Sequence, residues 1–236
     1  MSNRKKIIQL LSSPNPDSIQ LGWELAAVFA PDLLELRVFG DEVFGFTVLD
    51  LDFIQLSVLP QSIGQLKKLE YLCLYKNQIQ ALPQSIGQLQ KLKELNLKQN
   101  QLQELPEFIG KLIKLESLYL DGNQLQEVPE FIGKLQKLKY LNLYNNQLSA
   151  LPQSIGQLKK LEGLGVSSNQ LQTLPDSIGQ LKSLKKLSLS YNQLTAMPES
   201  IGQLQNLEVL YLKRNPIPKA EQSRIRKALP NTKIYF

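Results

Sequence analysis

The sequence predicts an α/β solenoid, a fold in which short repeats stack and each repeat adds one strand to a parallel sheet. Asparagine, proline and glycine recur every 23 residues over seven units. Leucines alternate with outward-facing residues in stretches such as Leu72-Cys73-Leu74, which is the period of a strand. A single unit cannot bury its own leucines, whereas stacked units can, and the regular period therefore indicates a continuous core.

The repeat can be written L-x-x-L-x-L-x-x-N-x-L-x-x-L-P-x-x-I-G-x-L-x-x, and eight such units cover residues 46–229. The first unit has Ile54 in the asparagine position, and the last loses the pattern after Asn215. Proline, which fixes φ, is expected to start a return segment, and a glycine such as Gly64 to permit a sharp bend. An asparagine amide at the end of each strand can bond backbone groups that would otherwise be buried alone. We predict a structural asparagine ladder formed by Asn77, Asn100, Asn123, Asn146, Asn169, Asn192 and Asn215.

This repeat resembles the leucine-rich-repeat family in its 23-residue Leu-Pro-x-x-Ile-Gly form, which is similar to units of small bacterial repeat proteins and of Ras-pathway scaffolds. The resemblance covers residues 46–215. It implies a horseshoe with the parallel sheet on its concave face. It also implies a binding or scaffold function, as in signalling, without indicating a particular partner.

The two ends of a solenoid need caps, because a terminal repeat would expose its core. We expect residues 1–45 to form a helical N-terminal cap and residues 46–215 to form the solenoid, whose eighth unit merges into the next segment. Within the N-terminal cap the pattern predicts helices over 3–12 and 16–30 and a strand over 33–39.

The C-terminal cap is expected over residues 216–236 and should consist of a helix followed by a strand. Pro218 can begin the helix, which would place Ile225 and Leu229 on the last coil. Pro230 would end it, and residues 232–236 are predicted to form the closing strand.

The composition argues against catalysis and against a metal or organic cofactor. The chain has no histidine and one cysteine, so the commonest general base and metal ligand are missing and an internal disulfide is impossible. No glycine-rich phosphate loop is present. Asp50 and Asp52 would lie on the same side of one strand, but two carboxylates are a poor metal site, and we expect them to be solvated.

The charge and hydropathy patterns bear on partners and location. Seven basic and two acidic residues give residues 207–236 a charge of +5, out of +6 for the whole chain. Because the surplus is confined to one end, nucleic-acid binding is only the alternative function, beside a self-assembling structural role. No apolar run is long enough to span a membrane, and the basic N-terminus lacks a cleavage site. We expect a cytoplasmic monomer, with specialised secretion left open.

In each repeat, the residues beside the leucines should face outward from the sheet, in register with their counterparts in the neighbouring repeats. The second position alternates in sign from Glu70 onward, which predicts a structural ladder of cross-strand charge pairs. Seven of the eight tyrosines occupy other outward positions, and tyrosine is common in protein-binding hot spots. Tyrosine also suits a strand surface, so each one alone is ambiguous.

The sixth repeat is almost bare on this face, because glycine or serine fills four of its five outward positions. Such a gap between aromatic side chains can accept a protruding group of a partner, or it can mark a surface where nothing binds. We predict that a protein or peptide of unknown identity binds this face. The predicted binding residues are Tyr71, Tyr75, Tyr119, Tyr140, Tyr144, Gly163, Gly165, Lys186, Tyr191 and Tyr211.

A second feature lies outside the sheet. Phe108 and Phe131 occupy a position that is serine in five other repeats. Stacked in adjacent repeats, they should form an apolar patch. It can pack locally or serve as a second contact or dimer surface.

Overall fold

The computed structural model describes Leu21, Gly22, Glu24 and residues 47–236. Within this part of the chain, nine short strands lie side by side in chain order and form one parallel sheet. Each strand has three residues, and in the first eight the middle residue is a buried leucine. The strands are β1 (Val48–Asp50), β2 (Tyr71–Cys73), β3 (Glu94–Asn96), β4 (Ser117–Tyr119), β5 (Tyr140–Asn142), β6 (Gly163–Gly165), β7 (Lys186–Ser188), β8 (Val209–Tyr211) and β9 (Lys233–Tyr235).

The sequence period becomes the register of the sheet. Tyr71 pairs with Glu94 and Glu94 with Ser117, so paired residues are 23 apart in the chain. This step holds through β8, whereas Val209 of β8 pairs with Lys233 of β9, one residue further on. Identical register brings the same repeat position of every unit into one row across the sheet. The predicted parallel solenoid is confirmed.

The return segments are short 3-10 helices, and each begins directly after the repeat's proline. The proline φ angles lie close to the value that its ring imposes, for example −71° at Pro83. Five residues form one tight helix in each of seven repeats, and 3-10 geometry is common in such short connecting segments. They are η1 (Gln61–Gln65), η2 (Gln84–Gln88), η3 (Glu107–Lys111), η4 (Glu130–Lys134), η5 (Gln153–Gln157), η6 (Asp176–Gln180) and η7 (Glu199–Gln203).

The repeated glycine serves close packing, so the expected role in a sharp bend was wrong. The glycines of the 3-10 helices do not have positive φ; among the described glycines, Gly122 does. A Cβ at Gly64 would lie 2.6 Å from the carbonyl oxygen of Ser85 in the next repeat, and one at Gly87 would lie 2.8 Å from that of Phe108. Glycine is therefore needed because adjacent return segments nearly touch.

The core is one column of aliphatic side chains that runs the length of the stack. In the second repeat Leu72, Leu74, Ile79, Ile86 and Leu89 are all fully buried. The same positions are buried in the following repeats, and the cluster is continuous from the first repeat to Leu229. Burying one such side chain contributes about 1.5–3 kcal/mol. The stack is therefore held together by the repeat leucines and isoleucines.

Each asparagine amide joins its own turn to the preceding repeat. Asn123 is representative: its Oδ1 accepts the amide of Leu102 at 3.0 Å, and its Nδ2 donates to the carbonyls of Leu97 and Leu120, both at 2.9 Å. Asn77 to Asn192 are buried, so these bonds satisfy backbone groups out of reach of water. Asn215 makes the same three contacts, partly buried, in the last unit.

At the C-terminal end, a helix and a strand follow the repeats. Helix α1 (Lys219–Ala228) begins after Pro218 and packs on η7, and its Ile225 is fully buried, as is most of Leu229. Glu221 accepts the amide of Met197 at 2.9 Å and pairs with Arg224 at 2.7 Å. These contacts join α1 to the seventh repeat, while β9 extends the sheet.

The N-terminal elements expected over 3–12 and 33–39 lie outside the described residues, as does most of the helix expected over 16–30. Leu21, Gly22 and Glu24 are helical, and Leu21 is fully buried in the continuous core. The hydroxyl of Ser62 donates to Glu24 at 2.6 Å. Within the described part of the chain, no helix is both long and apolar enough to cross a membrane.

Candidate functional site

The exposed side of the sheet carries the seven predicted tyrosines, and we call it the tyrosine face. It consists of the outward side chains at the third, fifth, seventh and eighth positions of the repeats. Tyr140, Tyr144 and Tyr191 are the most exposed of these rings, at 45%, 49% and 58%. Tyr71 is also exposed, while Tyr75, Tyr119 and Tyr211 are half-buried between their neighbours. The tyrosine face therefore presents large, partly rigid aromatic surfaces to solvent.

A hollow of about 400 Å³ lies near the middle of the tyrosine face, where β4 to β7 pass. We call it the central hollow. Six of the ten predicted binding residues line it, whereas Tyr71, Tyr75, Tyr191 and Tyr211 do not. Its lining consists of Tyr119, Tyr140, Leu141, Asn142, Tyr144, Gly163, Leu164, Gly165, Ser167, Lys186 and Ser188.

The glycines of β6 create the hollow but are partly covered by the preceding strand. A Cβ at Gly163 would lie 3.0 Å from Cδ1 of Tyr140, so the ring leans toward the space that a side chain would fill. A Cβ at Gly165 would clash with Oδ1 of Asn142. The aromatic ring of Tyr140 and the amide of Asn142 therefore line one side of the central hollow, and Lys186 lines the opposite side.

A second hollow of about 380 Å³ lies on the N-terminal side of the first, and Tyr144 lines both. We call it the acidic hollow, because it contains Asp121. Tyr75 lines it too, and its ring meets Phe53 edge to face with centroids 4.9 Å apart. The other lining residues are Asn96, Lys98, Gln99, Gly122 and Asn145.

Asp121 and Lys98 are functional candidates that the sequence reasoning did not select. The Lys98 ammonium lies 3.4 Å from Oδ2 of Asp121 and 4.5 Å from the centre of the Tyr119 ring. Burial raises the pKa of Asp121, and the attraction of Lys98 only partly offsets this. The signal was present in the sequence, because the two residues are opposite charges at the same position of adjacent repeats.

The eighth position of every repeat has a left-handed backbone. Its φ is 57° at Tyr191, 56° at Ser168 and 69° at Gly122. Non-glycine residues rarely adopt this conformation, which here turns the chain out of the strand just before the asparagine. Tyr191 is therefore placed at the rim of the tyrosine face by the turn and not by the strand.

The predicted charge ladder consists of separate pairs along the edge of the tyrosine face. Lys93 lies 2.7 Å from Glu70, Lys139 2.7 Å from Glu116, and Lys185 2.8 Å from Glu162. Each lysine thus pairs with the glutamate of the preceding repeat. The hydrogen bond that Lys139 donates to Glu116 lowers the pKa of Glu116 and raises the pKa of Lys139. Such exposed pairs contribute little stability, but they keep like charges apart.

Asp50 and Asp52, which we expected to be solvated, also accept backbone amides at the first strand. Oδ1 of Asp50 accepts the amide of Asp52 at 2.9 Å, and Oδ1 of Asp52 accepts the amide of Tyr75 at 2.6 Å. In the described residues, no group of three acidic or cysteine side chains could hold a metal ion.

Phe108 and Phe131 are partly buried and pack against the core. Phe131 also approaches Gly110, where a Cβ would lie 3.2 Å from its ring. These contacts favour the local-packing alternative for the two phenylalanines over a separate contact surface.

Comparison with known proteins places this geometry in a family. The family model described as leucine-rich repeat region matches residues 45–138 and 129–231, which together make up most of the chain. A leucine-rich-repeat protein of Leptospira interrogans is 43% identical with a TM-score of 0.67, and the match covers 80% of this chain and 54% of that one. Among curated proteins, no match is found.

Two further solved structures are also similar to this chain. The PEPR1–AtPEP1 structure is 36% identical with a TM-score of 0.66, covering 72% of this chain and 25% of that chain. A plant peptide hormone receptor, RGFR1 in complex with RGF2, is 29% identical with a TM-score of 0.57, covering 70% and 32%. This chain thus spans about half or less of the length of these three proteins. With the family model matching along nearly all of the repeats, the chain belongs to the leucine-rich-repeat family.

Proposed function

We propose that this chain is a protein-interaction module that holds a protein or peptide segment on the tyrosine face, centred on the central hollow. The observation that carries the proposal is the convergence of Tyr119, Tyr140 and Tyr144 around one hollow of about 400 Å³. Tyrosine offers a large contact area with two rotatable side-chain angles, so little entropy is lost on binding. We propose that the protein acts as a monomer and that its activity is binding and not catalysis.

The shape of the site supports an extended or protruding ligand. The two hollows meet at Tyr144, so a segment lying across the strands can occupy both at once. Small residues at the floor, Gly163, Gly165 and Ser167, leave room for a side chain of the partner. The plant peptide hormone receptor RGFR1, whose structure in complex with RGF2 is similar to this chain, supports a peptide-sized ligand.

The test is selection from a random displayed peptide library against the immobilised protein. Peptides that bind are then measured against a triple variant, Tyr119→Ala, Tyr140→Ala and Tyr144→Ala. We expect at least about a tenfold loss of affinity, since aromatic hot-spot residues usually contribute 1 kcal/mol or more each.

The matched control replaces exposed apolar residues away from the tyrosine face, Val58→Ala and Ile113→Ala, which are 70% and 55% exposed. It should bind the selected peptides like the unaltered protein. Equal binding by the tyrosine variant and the control would show that the peptides use another surface.

A further inference from the structure

The C-terminal end of the tyrosine face carries a cluster of lysines around two stacked rings. The rings of Tyr211 and Tyr235 lie parallel, within 5°, with centroids 5.0 Å apart. The ammonium of Lys186 lies 5.6 Å from the Tyr211 centroid, and those of Lys213 and Lys233 lie 5.9 and 5.3 Å from that of Tyr235. We call these five side chains the basic end.

The lysines of the basic end form no ion pair in the described part of the chain. None of its three lysines lies within 4.0 Å of a carboxylate there, whereas Lys93 and Lys139 each pair with a glutamate. Lys186, Lys213 and Lys233 are all exposed. The hydrogen bond to the Tyr235 hydroxyl raises the pKa of Lys233, so Lys233 is positively charged at physiological pH.

The surrounding sequence reinforces this charge. Arg214 is exposed three residues after the end of β8, and residues 207–236 hold seven basic and two acidic residues. At the opposite end of the sheet, Asp50 and Asp52 bring negative charge. The tyrosine face is therefore negative at its N-terminal end and positive at its C-terminal end. A bound segment with the reverse charge distribution would lie in one direction.

The ring geometry distinguishes between classes of polyanion. Binding of single-stranded nucleic acid depends on bases stacking on open aromatic faces. Here one face of Tyr211 and one of Tyr235 are used by their mutual stack, and ammonium groups lie within cation–π distance of both rings. The basic end therefore presents ammonium groups, and the rings hold those groups in place.

We propose that the basic end binds the carboxylates of an acidic segment in the protein partner and so sets the direction in which that partner lies on the tyrosine face. The proposal rests on the proposed function, because it assumes that a partner occupies this face. Its chemistry is ion pairing of aspartate or glutamate side chains with Lys186, Lys213 and Lys233, which is stronger when several charges act together.

The experiment measures fluorescence anisotropy of a labelled decaglutamate peptide with the unaltered protein at low and at physiological salt. We expect binding that weakens as salt is raised, because exposed ion pairs are screened. A triple variant, Lys186→Gln, Lys213→Gln and Lys233→Gln, should lose at least about tenfold in affinity. Its circular dichroism and thermal midpoint serve to show that the fold is kept.

The matched control removes the same number of charges elsewhere, through Lys68→Gln, Lys91→Gln and Lys114→Gln. These exposed lysines lie in the turns between the 3-10 helices and the strands. The control should retain the affinity for decaglutamate within about twofold. Equal losses in both variants would overturn the proposal, because they would show that only total charge matters.

Two further outcomes would also overturn it. One is the absence of decaglutamate binding by the unaltered protein at low salt. The other is tighter binding of a single-stranded DNA decamer than of decaglutamate through the same three lysines, which would assign the basic end to nucleic acid.

Failure of this proposal can be told apart from failure of the proposed function. The Tyr119, Tyr140 and Tyr144 alanine variant should still bind decaglutamate, because these residues lie outside the basic end. If library peptides need the three tyrosines while decaglutamate binding does not need the three lysines, only the present proposal fails. If decaglutamate binding needs the lysines and no library peptide needs the tyrosines, the proposed function fails instead.

Discussion

Oδ2 of Asp121 lies 3.4 Å from the ammonium of Lys98, whereas Oδ1 of the same carboxylate is buried and has no hydrogen-bond partner among the described residues. The carboxylate is thus half satisfied. Burial raises its pKa, because the charged form loses more solvation than Lys98 restores. Titratable groups with perturbed pKa values cluster at functional sites, where a buried polar group that lowers stability can bind a ligand.

The first prediction follows from that pKa. A carboxyl whose pKa is higher in the folded state destabilises the fold once the pH exceeds its unfolded value of 3.8, and fully so above its folded value. Asp121→Asn removes this penalty. The stability of the variant relative to the unaltered protein should therefore increase from pH 4 toward pH 7, by up to about 1 kcal/mol after loss of the Lys98 pair. Urea denaturation at a series of pH values measures it.

Lys98→Gln provides the complementary control. Lys98 lowers the pKa of Asp121, so its removal should enlarge the pH-dependent penalty that Asp121 imposes. A relative stability of Asp121→Asn that declines with rising pH would show that the carboxylate is favourable when charged, contrary to this account.

The second prediction concerns the asparagine ladder. Asn123→Ala deletes three buried hydrogen bonds and leaves the amide of Leu102 and two carbonyls without partners. Each unsatisfied buried group costs about 1–3 kcal/mol, so we expect a loss of about 3 kcal/mol in the free energy of unfolding. Gln124→Ala, at the exposed neighbouring residue, should change it by less than about 0.5 kcal/mol. Similar losses in the two variants would mean that the ladder is not what stabilises this turn.

The regular part of the fold could be predicted because every repeat has the same pattern of buried leucines, turn asparagine and proline. The spacing of Leu72 and Leu74 already defines a strand, and the 23-residue step fixes which residues pair across the sheet. Asn77 follows that strand, so its position in the turn could be read from the sequence as well.

What could not be predicted depends on contacts between particular side chains. Tyr140 lies close to Gly163, and Asn142 lies close to Gly165, only because a repeat with large outward side chains is followed by one with glycines. The packing role of Gly64 was also hidden, because glycine suits a bend and a close approach equally well. The left-handed residue before each asparagine gave almost no signal, since glycine occupies that position only at Gly122 among the eight repeats.

The third prediction uses that exception. Gly122 has φ +69°, and a Cβ there would lie 3.2 Å from the movable Cγ of Gln99. Gly122→Ala must therefore adopt a left-handed backbone that costs an L-residue about 1 kcal/mol. Thermal or urea denaturation should show a loss of that size. Ser168→Ala, at the equivalent position with φ 56°, already has a side chain and should change stability little. An equal effect at both positions would exclude backbone conformation as the cause.

The last prediction addresses the central hollow by filling it. Ser167 lines the hollow on the strand side and has a negative φ, so a large side chain can be placed there without backbone strain. Ser167→Trp should occupy the space between Tyr144 and Lys186 and reduce the affinity for the selected peptides at least about tenfold, or 1.4 kcal/mol. The free energy of unfolding should stay nearly constant, because the added ring lies outside the core.

Its control is Ser190→Trp, which adds the same side chain at the same position of the next repeat, outside the residues that line the central hollow. Binding by this variant should match that of the unaltered protein. If both tryptophans reduce affinity equally, the ligand covers the face without entering the hollow. If neither does, the ligand lies elsewhere. Only loss at Ser167 alone identifies the space above Gly163 and Gly165 as the place where the partner inserts.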